Sequence, residues 1–199
     1  MKSTWLVMSP LAAMVAAMAL PAAAAEEVYT LDPVHSTPQW EAGHIGMSTQ
    51  RGSFGKASGK VVLDRAARKG SVDVTIDATS IRTYDPSRLD AIVKGERFFN
   101  VEKYPTITFK SNNVVFEGDK VVAVDGELTM LGVTKPVTLK MVNFSCGPQA
   151  FNKKPMCGGD ASASIKRSDW GMTQGVAQMS PTDDVKLWIP FEAYLTPAE

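Results

Sequence analysis

The sequence predicts an all-β, mainly antiparallel fold, a barrel or a sandwich, with one short helix. Short runs with a two-residue hydrophobic period recur along the chain, and turn residues separate them at close spacing. One stretch alone changes to a helical period. About nine strands so spaced point to an antiparallel barrel or sandwich.

Strands are expected first at 28–32, 39–45 and 53–64. Val72, Val74 and Ile76 then alternate with Asp73, Thr75 and Asp77, which buries one face. Asp85-Pro86-Ser87 offers an N-cap with proline in the first turn, and Leu89, Ile92 and Val93 follow at i, i+3, i+4. Lys94-Gly95 ends this stretch with a basic last turn and a C′ glycine, so a helix of about two to three turns is expected, a lid or plug on a barrel end. Ile107 and Phe109 resume the alternation. Glu117-Gly118-Asp119-Lys120 links 114–116 to 121–122, and its Gly-Asp core suits a tight hairpin. Strands at 126–130, 137–144 and 161–167 follow. Last, Leu187, Ile189, Phe191, Ala193 and Leu195 form one apolar row, opposite Lys186, Trp188, Pro190, Glu192 and Tyr194. Proline donates no ladder bond, so this strand is an edge or bulged at Pro190.

Residues 1–25 read as a cleaved secretory signal: Lys2, an apolar stretch from Trp5 to Leu20, Pro21, then Ala22 to Ala25. Its removal takes away one lysine, so residues 26–199 stay close to neutral and form a single domain without linker or repeat. A chain of formal net charge zero lacks the basic face a nucleic-acid binder needs. Export is expected to place Cys146 and Cys157 in an oxidising compartment, where they are read as a disulfide closing a short Gly/Pro-containing turn.

Catalytic signatures are absent: there is no His-Glu-x-x-His, Gly-x-Ser-x-Gly, Gly-x-Gly-x-x-Gly or P-loop. The two histidines, His35 and His44, have no third strong ligand at a diagnostic spacing beyond Asp32, and polar hydrogen-bonded roles are the simpler reading. No metal, cofactor or catalytic residue is therefore assigned. The aromatics Trp40, Phe54, Phe98, Phe99, Phe109, Trp170, Trp188 and Phe191 either fill a barrel or line a cavity in it, and the sequence leaves both open.

Six motifs in order carry a family resemblance. They are Leu31-Asp32-Pro33-Val34-His35-Ser36 with Trp40 to Gly46, then Arg51 to Gly55, then Phe98 to Phe109, Gly126 to Thr129, Gly132 to Leu139, and Ile165 to Met172. Over essentially all of the chain after the leader, this series resembles the YceI-like family of periplasmic polyisoprenoid-binding proteins. The resemblance implies a lipocalin-like extended β-barrel holding an isoprenoid or other long apolar lipid, and a carrier or sequestering protein rather than an enzyme. Trp40, Phe54, Phe98, Phe109, Trp170 and Phe191 are the candidate tail contacts, and His35, His44, Arg82 and Asp90 the candidate head-group residues. Two departures stand out: Leu89 and Ile92 occupy helix positions where the family often has arginine and histidine, and Trp40 replaces a usual phenylalanine. These make the head-group end less polar than the family pattern. Two other classes stay open, a lipid-modifying enzyme using His35 and His44 as acid–base groups, and a structural partner in transient contact with the membrane or a membrane redox protein.

Overall fold

Turn chemistry and strand breaks set the architecture. The computed structural model describes residues 26–178 and 182–197, so the expected leader at 1–25 lies outside the described residues. Eleven strands are present among them: β1 Glu27–Leu31, β2 Gln39–His44, β3 Ser48–Phe54, β4 Ala57–Asp64, β5 Lys69–Asp77, β6 Ile81–Thr83, β7 Thr106–Glu117, β8 Lys120–Met130, β9 Val133–Pro148, β10 Pro155–Lys166 and β11 Asp184–Leu195. One short helix, α1 Leu89–Lys94, lies between β6 and β7. Strands β1-β4-β5-β7-β8-β9-β10-β11 form a ring that closes through β1 and β11, and every pairing is antiparallel.

The other three strands extend three members of the ring. β1 and β2 both run antiparallel to β11, one along its C-terminal part and the other along Val185–Trp188. They therefore share a lane, interrupted by residues 32–38. β3 and β4 share the next lane, and β6 and β5 the third. The breaks lie side by side and are sewn together: Phe54 N–H donates to Pro38 O (2.8 Å), Gly55 N–H to Ser80 O (3.2 Å) and Asp77 N–H to Lys56 O (3.0 Å). The strand expected at 53–64 is accordingly two strands, because Gly55-Lys56 turns away from its own lane to bond Ser80.

Pro190 sits where β11 passes from β2 to β1. Both backbone groups of Glu192 point to that edge, N–H donating to Ser36 Oγ (3.1 Å) and O accepting from Asp32 N–H (2.8 Å). By the two-residue period, the Pro190 nitrogen faces the same gap, where a ladder donor has no strand to meet. Loop 32–38 fills the gap. Ser36, 2% exposed, also donates to Glu192 O (3.1 Å), and the His35 Nδ1 lies 2.8 Å from Asp32 Oδ2 and 3.7 Å from Glu192 Oε2.

Bulges keep the apolar side chains inward. Along β9 the register shifts so that Met141 and Phe144 both line the interior while Val142 is pushed out, 58% exposed. Shifts between β7 and β8 do the same for Phe109 and Val114, and for Val121 and Val124. The β7–β8 hairpin turns at Gly118 (φ +60°), as its Gly-Asp core predicts.

The helix is shorter than expected, six residues, and its caps differ. Asp85 accepts from the N–H groups of Ser87 and Arg88 in the turn before it, so Arg88 becomes the N-cap without a side-chain bond. Gly95 is extended (φ −70°) rather than left-handed. The chain doubles back instead, and Phe99 and Val101 donate to the carbonyls of Val93 and Lys94 (both 3.0 Å), the role a left-handed cap would have filled.

At the opposite end Cys146 and Cys157, direct cross-strand partners in β9 and β10, are disulfide-bonded. Replacing both with serine is expected to lower unfolding stability by about 2–4 kcal/mol; a urea midpoint unchanged from wild type would show that the bridge does not stabilise the fold.

The His35 pair yields a second expectation. The Asp32 carboxylate, then Glu192, raise His35 above its ordinary 6.5, and the His35 bond holds Asp32 below its ordinary 3.8. The histidine's contribution is therefore complete below pH 6.5 and is lost as pH rises through its raised value. The aspartate's is present above pH 3.8 and is lost as pH falls through its lowered value, so the pair stabilises most between the two. NMR titration is expected to place His35 above 6.5 and to show Asp32→Asn moving it back down; a wild-type midpoint at or below 6.5 would contradict the pairing.

Candidate functional site

The alternation that closes the barrel also decides what faces inward. Val61 of β4, Val72 and Val74 of β5, Leu139 and Met141 of β9, and Leu187 and Ile189 of β11 line one cavity and remain only half-buried. In a filled interior such inward side chains would be fully covered. The barrel is hollow instead, with a cavity of about 790 Å³. That is the size of a small-molecule site, and its wall is overwhelmingly hydrocarbon.

Two aromatic rings lie flat on this wall because glycine makes room for them. A Cβ on Gly52 would come within 2.5 Å of the Trp40 indole, its cross-strand partner. One on Gly126 would come within 2.6 Å of the Phe109 ring and of Lys110 O. The Trp40 Nε1 is buried there without a hydrogen-bond partner among the described residues.

The two barrel ends differ. Around Leu63, Val114 and Val121 the lining is fully buried. Beyond Leu63 on the same chain segment, the Arg65 guanidinium pairs with Glu27 (2.9 Å) and donates to the Tyr29 hydroxyl (3.1 Å). At the other end the lining includes exposed His44 and Ile45 at the β2–β3 tip, Arg88 and Ile92 at α1, and Gln174. The cavity opens there. Leu89 and Ile92 of α1 face it, so the helix forms part of the rim.

Arg167 shapes that end. It is 7% exposed, and its Nε donates to Thr182 O (2.7 Å), Nη1 to Met172 O (2.7 Å), and Nη2 to Gln174 O (2.6 Å) and Thr182 Oγ1 (3.1 Å). The guanidinium carbon stands 6.0 Å from the Phe98 ring centroid. Burial pushes its pKa down, and Asp183 opposes this. The Asp183 carboxylate itself accepts from the Ser168 N–H and hydroxyl (both 2.9 Å).

Of the sequence candidates, Trp40, Phe54, Phe98, Phe109, Phe191 and His44 line the cavity. Trp170 does not. It is buried with Nε1 donating to Leu128 O (3.2 Å), and it borders a separate outer groove. Asp90 is buried in a structural role, accepting from Thr83 N–H (2.6 Å) and Oγ1 (2.7 Å), with Arg82 Nη1 at 3.8 Å. His35 lies in the seam beside Asp32, on a different surface from His44. Arg88 and Arg167 on the wall were missed: Arg167 stood within the last quoted motif, but an isolated arginine carries no sequence signal of facing inward.

Comparison with known proteins agrees with this architecture. Protein YceI of Salmonella arizonae is 33% identical over 172 residues, covering 86% of this chain and 87% of that one, and that of Salmonella enteritidis matches equally. The crystal structure of Burkholderia cenocepacia BcnA superposes with TM-score 0.63 at 26% identity, covering 83% of this chain and 99% of that one. The Campylobacter jejuni YceI protein does so with TM-score 0.64 at 25% identity, covering 78% and 90%. A polyisoprenoid-binding domain from Saccharophagus degradans, 16% identical, shares the fold with TM-score 0.58 over 84% of this chain and 98% of that one. With a YceI-like domain matched over residues 29–193, from the first ring strand to the last, the chain belongs to the YceI-like family.

Proposed function

We propose that residues 26–199 work as a single exported domain that carries or sequesters a long apolar amphiphile, an isoprenoid or similar lipid, in the barrel interior. The observation that carries this reading is the hollow apolar cavity closed at one end and open at the other. Each methylene moved from water into such a wall contributes about 0.8 kcal/mol, so ten give roughly 8 kcal/mol before the cost of association. The polyisoprenoid-binding domain of the same fold supports the ligand class. The leader-like residues 1–25 and the Cys146–Cys157 bridge support a periplasmic location. Ile45, Met47 and Ile92, all exposed and close to the open end, favour loading from a membrane surface.

Binding rather than catalysis fits the site, because the two histidines that would make an acid–base pair lie on different surfaces. Organic extraction of protein purified from its native compartment, followed by mass spectrometry, is expected to recover one long-chain lipid per barrel. Val74→Trp, which places an indole in the cavity, is expected to weaken binding of an added lipid by about tenfold or more, with the circular dichroism spectrum retained. An empty extract together with undiminished binding by the Trp variant would sink the reading, and turnover of the added lipid would replace it with the enzyme.

A further inference from the structure

Not every lane of the ring is sealed along its whole length. The β9–β10 ladder runs from the Pro148/Pro155 pair to the Lys140/Ser162 pair and stops there, although both strands continue. Residues 133–139 of β9 keep only β8 as a strand neighbour, and residues 163–166 of β10 keep only β11. A second cavity, of about 740 Å³, lies between these stretches. Consecutive residues line it on both banks, 135–138 on β9 and 162–165 on β10. Side chains alternate along a strand, so a groove that touches every residue in turn is lined by strand edges rather than strand faces. In an antiparallel pair, alternate residues turn their backbone groups to either side. One set along 133–139 bonds to β8, and the other faces the groove without a strand to meet. Pro136, which has no N–H to donate, lies in this stretch, as proline does at sheet edges.

Trp170 borders this groove and not the lumen, so an occupant of the groove is distinct from one inside the barrel. The charged residues of the lining are three lysines, Lys135, Lys140 and Lys186, and one aspartate, Asp169, whose charge acts on Lys166. Glu41 stands opposite Lys186 in β2, and it is bonded to Arg51 (2.7 Å). Lys140, Ser162 and Trp188 form one row across β9, β10 and β11, and Trp188 is 41% exposed. The groove therefore offers unpaired backbone, an aromatic surface and an excess of positive charge.

We propose that this groove is a docking site for an extended, acidic segment of another protein, which adds to the β9 edge as a strand and sets its carboxylates among Lys135, Lys140 and Lys186. An unpaired edge is a template for any strand, and main-chain bonds supply the affinity. The lysines supply the selection. A second copy of this chain would bring the same positive edge and be repelled, whereas an acidic strand is attracted. The groove ends beside Lys166 and Asp184, next to Val185, which pairs with Ala42 two residues before His44 at the β2–β3 tip. The partner so held lies beside the mouth of the cavity.

The test uses the full chain and two capped heptapeptides, one alternating valine with glutamate and one alternating valine with lysine. In the free chain, hydrogen exchange followed by NMR is expected to show the groove-facing amides of 133–139 exchanging about a hundredfold or more faster than those bonded to β8. The glutamate peptide is expected to slow them and to bind about tenfold or more tightly than the lysine peptide. Lys140→Glu with Lys186→Glu, both exposed, is expected to reverse that preference with the circular dichroism spectrum retained. Groove-facing amides already protected in the free chain would show the edge to be covered by the chain itself and would overturn the proposal. Protection that rises with protein concentration alone, which assigns the edge to a second copy, overturns it too. So does protection by phosphatidylglycerol vesicles but not by the peptide, which assigns it to a membrane. Equal binding of the two peptides, or binding of neither, also overturns it. Each of these results leaves lipid extraction from the lumen unaffected, so the carrier reading stands or falls separately.

Discussion

Along a single edge of β11, Val185–Trp188 bond to β2 and residues 193–195 bond to β1, and the stretch between meets a loop rather than a strand. Ring closure depends on this shared edge. A barrel whose eight lanes all ran unbroken would need ladder donors throughout β11, which Pro190 cannot supply. With the break placed at the proline, the missing N–H falls where none is needed. The breaks in the neighbouring lanes at 55–56 and 78–80 follow from the first, because antiparallel neighbours must interrupt at matching positions if their backbone groups are to be paired. Loop 32–38, with Ser36 and the His35–Asp32 pair, is the plug of that seam, and its polarity serves the fold rather than the cavity.

An eight-lane barrel is just wide enough to be packed solid or to hold one ligand, and side-chain size decides between them. Here most inward positions carry valine, leucine, isoleucine, methionine or alanine, Phe54, Phe98, Phe99, Phe144 and Phe191 join them, and Trp40 and Phe109 lie along the wall over Gly52 and Gly126. Rings laid flat thicken the wall without crossing the lumen. The half-buried state of Val72, Val74, Leu139 and Ile189 is the result. The energy left unrealised by those surfaces is available to an apolar occupant, which links the packing of the fold to its proposed work.

Polarity is distributed in the same economical way. Arg65 and Glu27 neutralise each other beside the Tyr29 hydroxyl, and the disulfide holds β9 to β10. At the other end Arg167 donates to the carbonyls of Met172, Gln174 and Thr182 and to the Thr182 hydroxyl, while the Asp183 carboxylate, whose charge favours that of Arg167, accepts from Ser168. The ends thus differ in openness.

Much of this was legible from residue order. Two-residue alternation at 72–76, 107–109 and 187–195 marks inward faces because a strand's side chains alternate, and Gly118-Asp119, Pro190 and the cysteine pair announce a hairpin, an edge and a staple through their local chemistry. What spacing could not settle are the features that arise only when distant segments meet. The short helix ends where Val101 and Phe99 return to its carbonyls, and the strand expected at 53–64 breaks where Ser80 arrives. Trp170, Asp90 and His35 read as site residues by type, yet the fold engages them with Leu128, Thr83 and Asp32. Whether aromatic residues fill a barrel or line it depends on the volume enclosed by all eight lanes together, and whether an arginine inside has a counter-ion depends on which carboxylates reach it. Local propensity decided the strands and turns; the hollow interior exists only as a property of the closed surface.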